Sequence, residues 1–86
     1  MNKLSSDRAW DDYLYWQMQD KKTLLKINEM LKDIESNGLS EGTGKREHLK
    51  QLKACSRVID MENRLVYDMD QYGNLWIIAC KGHYED

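Results

Sequence analysis

The chain has no proline, so no helix or strand is interrupted by one. It has only two cysteines, Cys55 and Cys80. Their spacing excludes a cysteine-based metal site, and their apolar neighbours predict buried free thiols in a reducing cytosol rather than a secreted disulfide. No run approaches the ~18 apolar residues of a membrane span, and the opening MNKLSSDRAW lacks the apolar core of a leader. A cytoplasmic protein without membrane contact is expected. There is no large charge excess: the net charge is −2, which predicts no bulk attraction to nucleic acid. Internal repeats and low-complexity segments are also missing. The 86 residues make one domain, 1–86, with a core small enough that a partner or dimer contact would add to its stability.

Charge is unevenly distributed. Between residues 45 and 64 stand Lys45, Arg46, Lys50, Lys53, Arg57 and Arg64, against Glu47, Asp60 and Glu62. This segment can form a local basic patch, with Lys45, Lys53 and Arg57 as candidate RNA-binding residues. A mixed solvated surface explains the charges equally well.

Ser5 or Ser6 is a good cap for a first helix, with Asp7 in its first turn. Trp10, Tyr13, Leu14 and Gln17 follow helical spacing, so the helix should run to about Gln19. Asp20 can cap a second helix. Leu24, Ile27, Leu31 and Ile34 form its apolar stripe, and Asn37-Gly38 should end it. A glycine-containing loop (40–45) leads to three strands, at roughly 55–61, 64–70 and 75–80, with turns at 62–63 and 71–74. Leu75 to Cys80 is apolar throughout and suits a central strand. The expected fold is α+β: an N-terminal helical hairpin on one face of a mainly antiparallel sheet of four to five strands. The tryptophans Trp10, Trp16 and Trp76 are expected as core or interface anchors.

Two of these strands bring chemistry together. The segment Asn63-Arg64-Leu65-Val66-Tyr67 carries a cation, and the last strand ends in Cys80-Lys81-Gly82-His83-Tyr84. A cation, a histidine and a tyrosine on neighbouring strands suit phosphodiester cleavage. Taken singly, each has a plainer explanation. Arg64 would be a surface cation, Glu47 a solvated carboxylate and His83 an exposed histidine. His48 is read as incidental, and Asn63 as a turn residue.

The chain resembles the YoeB/Txe family of bacterial toxins in the RelE superfamily. The resemblance runs through Trp10-Asp11-Asp12-Tyr13-Leu14-Tyr15-Trp16, Asp20-Lys21-Lys22, Lys26-Ile27-Asn28, Gly44-Lys45-x-Glu47-x-Leu49-Lys50, Glu62-x-Arg64-Leu65-Val66-Tyr67 and Cys80-Lys81-Gly82-His83-Tyr84. It implies a RelE-like fold and a ribosome-dependent endoribonuclease that cuts mRNA in the ribosomal A site without cofactor or metal. It also implies a cognate Phd/YefM-type antitoxin and allows a homodimer. By motif position, Glu47 would be the general base, Arg64 the transition-state stabiliser and His83 the general acid, with Lys50 and Tyr84 assisting.

The sequence departs from the family pattern at one telling place. Ser56-Arg57-Val58 stands where Ser-Arg-Arg is usual, and the loop before Ser56 is shorter. Val58 cannot hold a phosphate, so the site is expected to be weaker unless Arg57 supplies the charge. This supports a rival reading: a catalytically attenuated homologue acting mainly as an antitoxin-binding, co-repressor module.

Overall fold

In the computed structural model the described residues are 2–37, 46–48 and 54–82; for Asn37 and for 46–48 the backbone alone is described. Seven elements follow in the order β1 (Lys3–Ser5), α1 (Asp7–Gln19), α2 (Lys21–Asn37), β2 (Arg46–His48), β3 (Cys55–Val58), β4 (Arg64–Met69) and β5 (Leu75–Ala79). The strands form one five-stranded sheet in the order β1-β5-β4-β3-β2. β1 is parallel to β5, and the other neighbours are antiparallel. Both helices lie over one face. The α+β hairpin-on-sheet expectation therefore holds, with five strands.

The helical hairpin is capped by side chains. Ser6 Oγ accepts from Ala9 N at 3.0 Å and donates to Ile78 O at 2.7 Å, so the α1 cap also ties the helix to β5. Asp20 accepts from Lys22 N, Thr23 N and the Thr23 hydroxyl. These bonds, led by the Thr23 hydroxyl, hold its carboxyl below the usual carboxylate range. The expected Gly38 stop and the 40–45 loop lie outside the described residues.

The α2 stripe behaves as its spacing predicts. Ile27, Met30, Leu31 and Ile34 are buried and Leu24 is partly so, packed in one cluster with Leu65, Tyr67, Leu75, Ile77 and Cys80 of the sheet side. Ile27→Ala should cost about 2–5 kcal/mol, because the side chain is fully enclosed and its truncation leaves a cavity in the core. Chemical denaturation measures this; a loss below about 0.5 kcal/mol would be that of a surface position.

The face of α1 differs from expectation. Its buried residues are Ala9 and Trp16, with Tyr13 partly covered, whereas Trp10 is 55% exposed and Leu14 and Met18 are exposed with it. The small Ala9 lets the helix approach β1 and β5 closely, and the larger aromatic is displaced to the outside. Trp16 is the core anchor; Trp10 and Trp76 are not in the core.

Strand β5 is central in the hydrogen-bonding sense, flanked by β1 and β4. Its register slips against β4: Val66 pairs with Ala79 but Tyr67 with Ile77. Ile78 is the extra residue of a bulge. The slip sets Ala79 beside Val66 in a second small cluster with Ala54, on the face away from the helices, and returns Cys80 to the helix side.

Candidate active site

The cross-strand register assembles the site. Glu47 pairs with Ser56, and Ser56 with Val66, so positions 47, 56 and 66 form one row across β2, β3 and β4. The next row contains Val58 opposite Arg64. Arg64 is half-buried, and its Nη1 donates to Ser56 Oγ at 3.5 Å. Ser56 itself is fully buried. The guanidinium therefore leans along the sheet toward the Glu47 row. On this face Ala54, Val66 and Ala79 form a small buried cluster, with Ile78 packed against it.

The tail after β5 is secured beside Arg64. Arg64 N donates to Gly82 O at 3.1 Å, and Gly82 N donates to Asn63 Oδ1 at 2.8 Å. Gly82 has φ +76°, a left-handed turn that suits glycine. Upstream, Cys80 N donates to Asp12 Oδ2 at 2.9 Å, and Trp16 Nε1 donates to Cys80 O at 2.8 Å. Arg8 Nη2 donates to Lys81 O at 3.3 Å, and the Lys81 ammonium sits 4.3 Å from the Tyr15 ring centre. His83 follows Gly82 by one peptide bond. His83, Tyr84, Lys45, Lys50 and Lys53 lie outside the described residues.

Asn63 is more than a turn residue. It is buried, and its amide donates to both carboxylate oxygens of Asp60 while its carbonyl holds Gly82. Asp60 also accepts from Glu62 N and Asn63 N. Its burial alone would raise its pKa, but the bonds from Asn63 and the turn outweigh it and hold the carboxyl low.

Arg57 corrects an expectation. It is not a surface cation for RNA but lies inside, with 1% exposure. Its Nη1 meets Asp33 Oδ2 at 2.7 Å, its Nε donates to Tyr67 OH at 2.9 Å, and the guanidinium carbon lies 5.7 Å from the Tyr67 ring centre. Strand alternation is the cause. Cys55 belongs to the helix-side core, so Arg57, two residues on, points the same way, while Ser56 and Val58 take the other face. Burial works against its charge, but the bonds from Asp33 and Tyr67 prevail and raise its pKa further. Arg57 therefore does not make up for Val58.

Both thiols are free and buried. Burial, reinforced by the Asp12 carboxylate, pushes Cys80 up to about 12, so it stays a neutral thiol. Among the described residues, no three His, Cys, Asp or Glu side chains gather where they could hold a metal ion.

Residues 5–84 match the model of the YoeB-like toxin of bacterial type II toxin-antitoxin systems. Toxin YoeB of Escherichia coli (strain K12) is 45% identical, over 98% of this chain and all of the relative. The structure of the YoeB dimer from Staphylococcus aureus superposes with a TM-score of 0.90 at 46% identity, covering 98% of both chains. A heterotetrameric YoeB–YefM toxin–antitoxin complex from the same organism gives 0.88 at 46% identity, with the same coverage. Fold and sequence together define a toxin of the bacterial type II toxin–antitoxin class. Within that class the chain belongs to the YoeB-like toxin family.

Proposed function

We propose that the chain is a ribosome-dependent endoribonuclease that cuts mRNA in the ribosomal A site by metal-free general acid–base chemistry. One observation carries the reading. Arg64 reaches Ser56 in the row that Glu47 shares, and its own N–H is bonded to Gly82, the residue before His83. In the proposed step Glu47 takes the proton from the ribose 2′-hydroxyl. The 2′-oxygen then bonds to the adjacent phosphorus, and the bond from phosphorus to the 5′-oxygen breaks. His83 gives its proton to that leaving oxygen. Arg64 offsets the charge that grows on the non-bridging oxygens. The products are a 2′,3′-cyclic phosphate and a 5′-hydroxyl. Lys50 and Tyr84 assist, and Lys45 and Lys53 contact the RNA backbone.

The partners follow from the same reading. A YefM-type antitoxin is the expected neutraliser, as in the staphylococcal complex. A homodimer is expected as in the staphylococcal YoeB dimer, and the exposed stripe Trp10, Leu14 and Met18 offers an apolar surface for a partner. The site of action is the cytoplasm.

A second reading has its own support. Val58 stands opposite Arg64, where a second cation would complete a phosphate clamp, and Arg57 is turned away into the core. An attenuated toxin that serves mainly to bind antitoxin fits these two facts. Expression without antitoxin separates the readings. Growth arrest, relieved by co-expressed YefM-type antitoxin, is expected of the nuclease. Unimpaired growth at equal protein level favours the binding module. Val58→Arg should raise cleavage, because two facing arginines repel until a phosphate lies between them. No gain in cleavage would mean that position 58 does not limit the site.

A further inference from the structure

Three consecutive residues after the last strand, Cys80 to Gly82, are tied down by five hydrogen bonds. Cys80 N is held by Asp12 and Cys80 O by Trp16. Lys81 O is held by Arg8, Gly82 N by Asn63 and Gly82 O by the Arg64 N–H. Past the end of β5 only Gly82 O keeps a strand backbone partner, the Arg64 N–H of β4, and water would satisfy the other groups at a surface. Instead the fold commits side chains that are themselves largely or wholly covered: Trp16, Asn63 and the Asp12 carboxylate. Two come from α1 and one from the turn before β4. The tail is thus fixed against both the helical layer and the strand that carries Arg64.

We infer that Asp12, Trp16 and Asn63 are positioning residues for the general acid. They fix the Cys80–Gly82 backbone, and so the point from which the His83 side chain starts, relative to Arg64. The inference rests on the nuclease reading above. Its physical basis is that a proton donor must lie within hydrogen-bond reach of the leaving oxygen, and a displacement of about 1 Å can cost about 10²-fold in rate. None of the three residues need touch RNA.

The test uses ribosome-programmed mRNA with one cleavable bond, made with either the ordinary 5′-oxygen or a bridging 5′-sulfur. A thiolate leaves without being protonated, so the sulfur substrate bypasses the general acid. His83→Ala should be slow on oxygen and largely restored on sulfur, and Arg64→Ala slow on both. Trp16→Phe keeps an aromatic side chain but removes the indole N–H donor, and Asn63→Ala removes the Gly82 acceptor. Both should cut the oxygen substrate at least about 10-fold more slowly at unchanged KM. On sulfur they should come within about 3-fold of the parent. Asp12→Ala should behave likewise, whereas Asp12→Asn keeps a carbonyl acceptor for Cys80 N and should retain most activity. The sulfur rate reports the competent fraction of each variant, so a folding loss is not mistaken for a positioning loss. Equal slowing on both substrates, or no slowing on either, would overturn the inference while the His83→Ala contrast upheld the nuclease reading. A His83→Ala variant without the contrast would remove that reading, and the inference with it.

Discussion

Arg64→Ala should lower ribosome-stimulated mRNA cleavage by at least about 10²-fold, since one fixed donor to a developing oxyanion contributes about 10²–10³. The effect should fall on kcat. The cation matters most when charge accumulates on the phosphate, and less when the RNA only binds. Arg64 suits this use because its guanidinium is half-buried, beside Ser56, and its backbone is fixed in β4 and to Gly82. His83→Ala should cost about 10²–10⁴-fold, as expected for loss of a general acid. Single-turnover cleavage of ribosome-bound mRNA measures both. A variant of either kind as fast as the parent would remove that residue from the mechanism.

The second large effect is on stability. Asp33→Ala should destabilise the fold by about 3 kcal/mol, at the lower end of the range for breaking a buried ion pair. The loss comes from Arg57, which stays charged and enclosed without its carboxylate. Tyr67 OH still accepts from Nε, which keeps the cost from the upper end. The pair links α2 to β3, so the loss should appear as a lower denaturation midpoint rather than as altered catalytic chemistry. Urea titration of parent and variant measures it, and a change under about 0.5 kcal/mol would mean that the pair is solvated.

Much of this fold can be read from periodicity. The α2 stripe, the α1 limits and the strands β3 to β5 follow from spacing and turn residues. The edge strands do not. Lys3–Ser5 and Arg46–His48 are short and polar, and each is a strand only because a neighbour offers its edge: Leu75–Ile77 for one, Cys55–Arg57 for the other. That pairing is tertiary, and no local pattern announces it. The α1 face misleads for a different reason. Trp10 and Leu14 carry the stronger apolar signal, but the tight approach to β5 selects Ala9 and Trp16.

At the site, motif position singles out Glu47 and Arg64, but the row that aligns position 47 with Ser56 exists only through the β2–β3 pairing. The burial of Arg57 is encoded in the strand alternation, although its charge points to the surface. Counting by two from the apolar Cys55 puts Arg57 on the core side, but a charged residue invites a surface assignment. The acidic partner that makes its burial tolerable, Asp33, lies 24 residues away in sequence. The roles of Asp12, Trp16 and Asn63 were hidden for a similar reason. Their partners are backbone atoms of a distant tail, which no side-chain motif encodes.

The central claim is the chemistry of the cut. The most direct test is to program ribosomes with a defined mRNA, add the purified chain, and determine the ends of the fragments. The account predicts cleavage in the A site, a 2′,3′-cyclic phosphate on the upstream fragment and a 5′-hydroxyl on the downstream one, with both lost in Arg64→Ala. Intact mRNA at stoichiometric toxin, or fragments that begin with a 5′-phosphate, would contradict it.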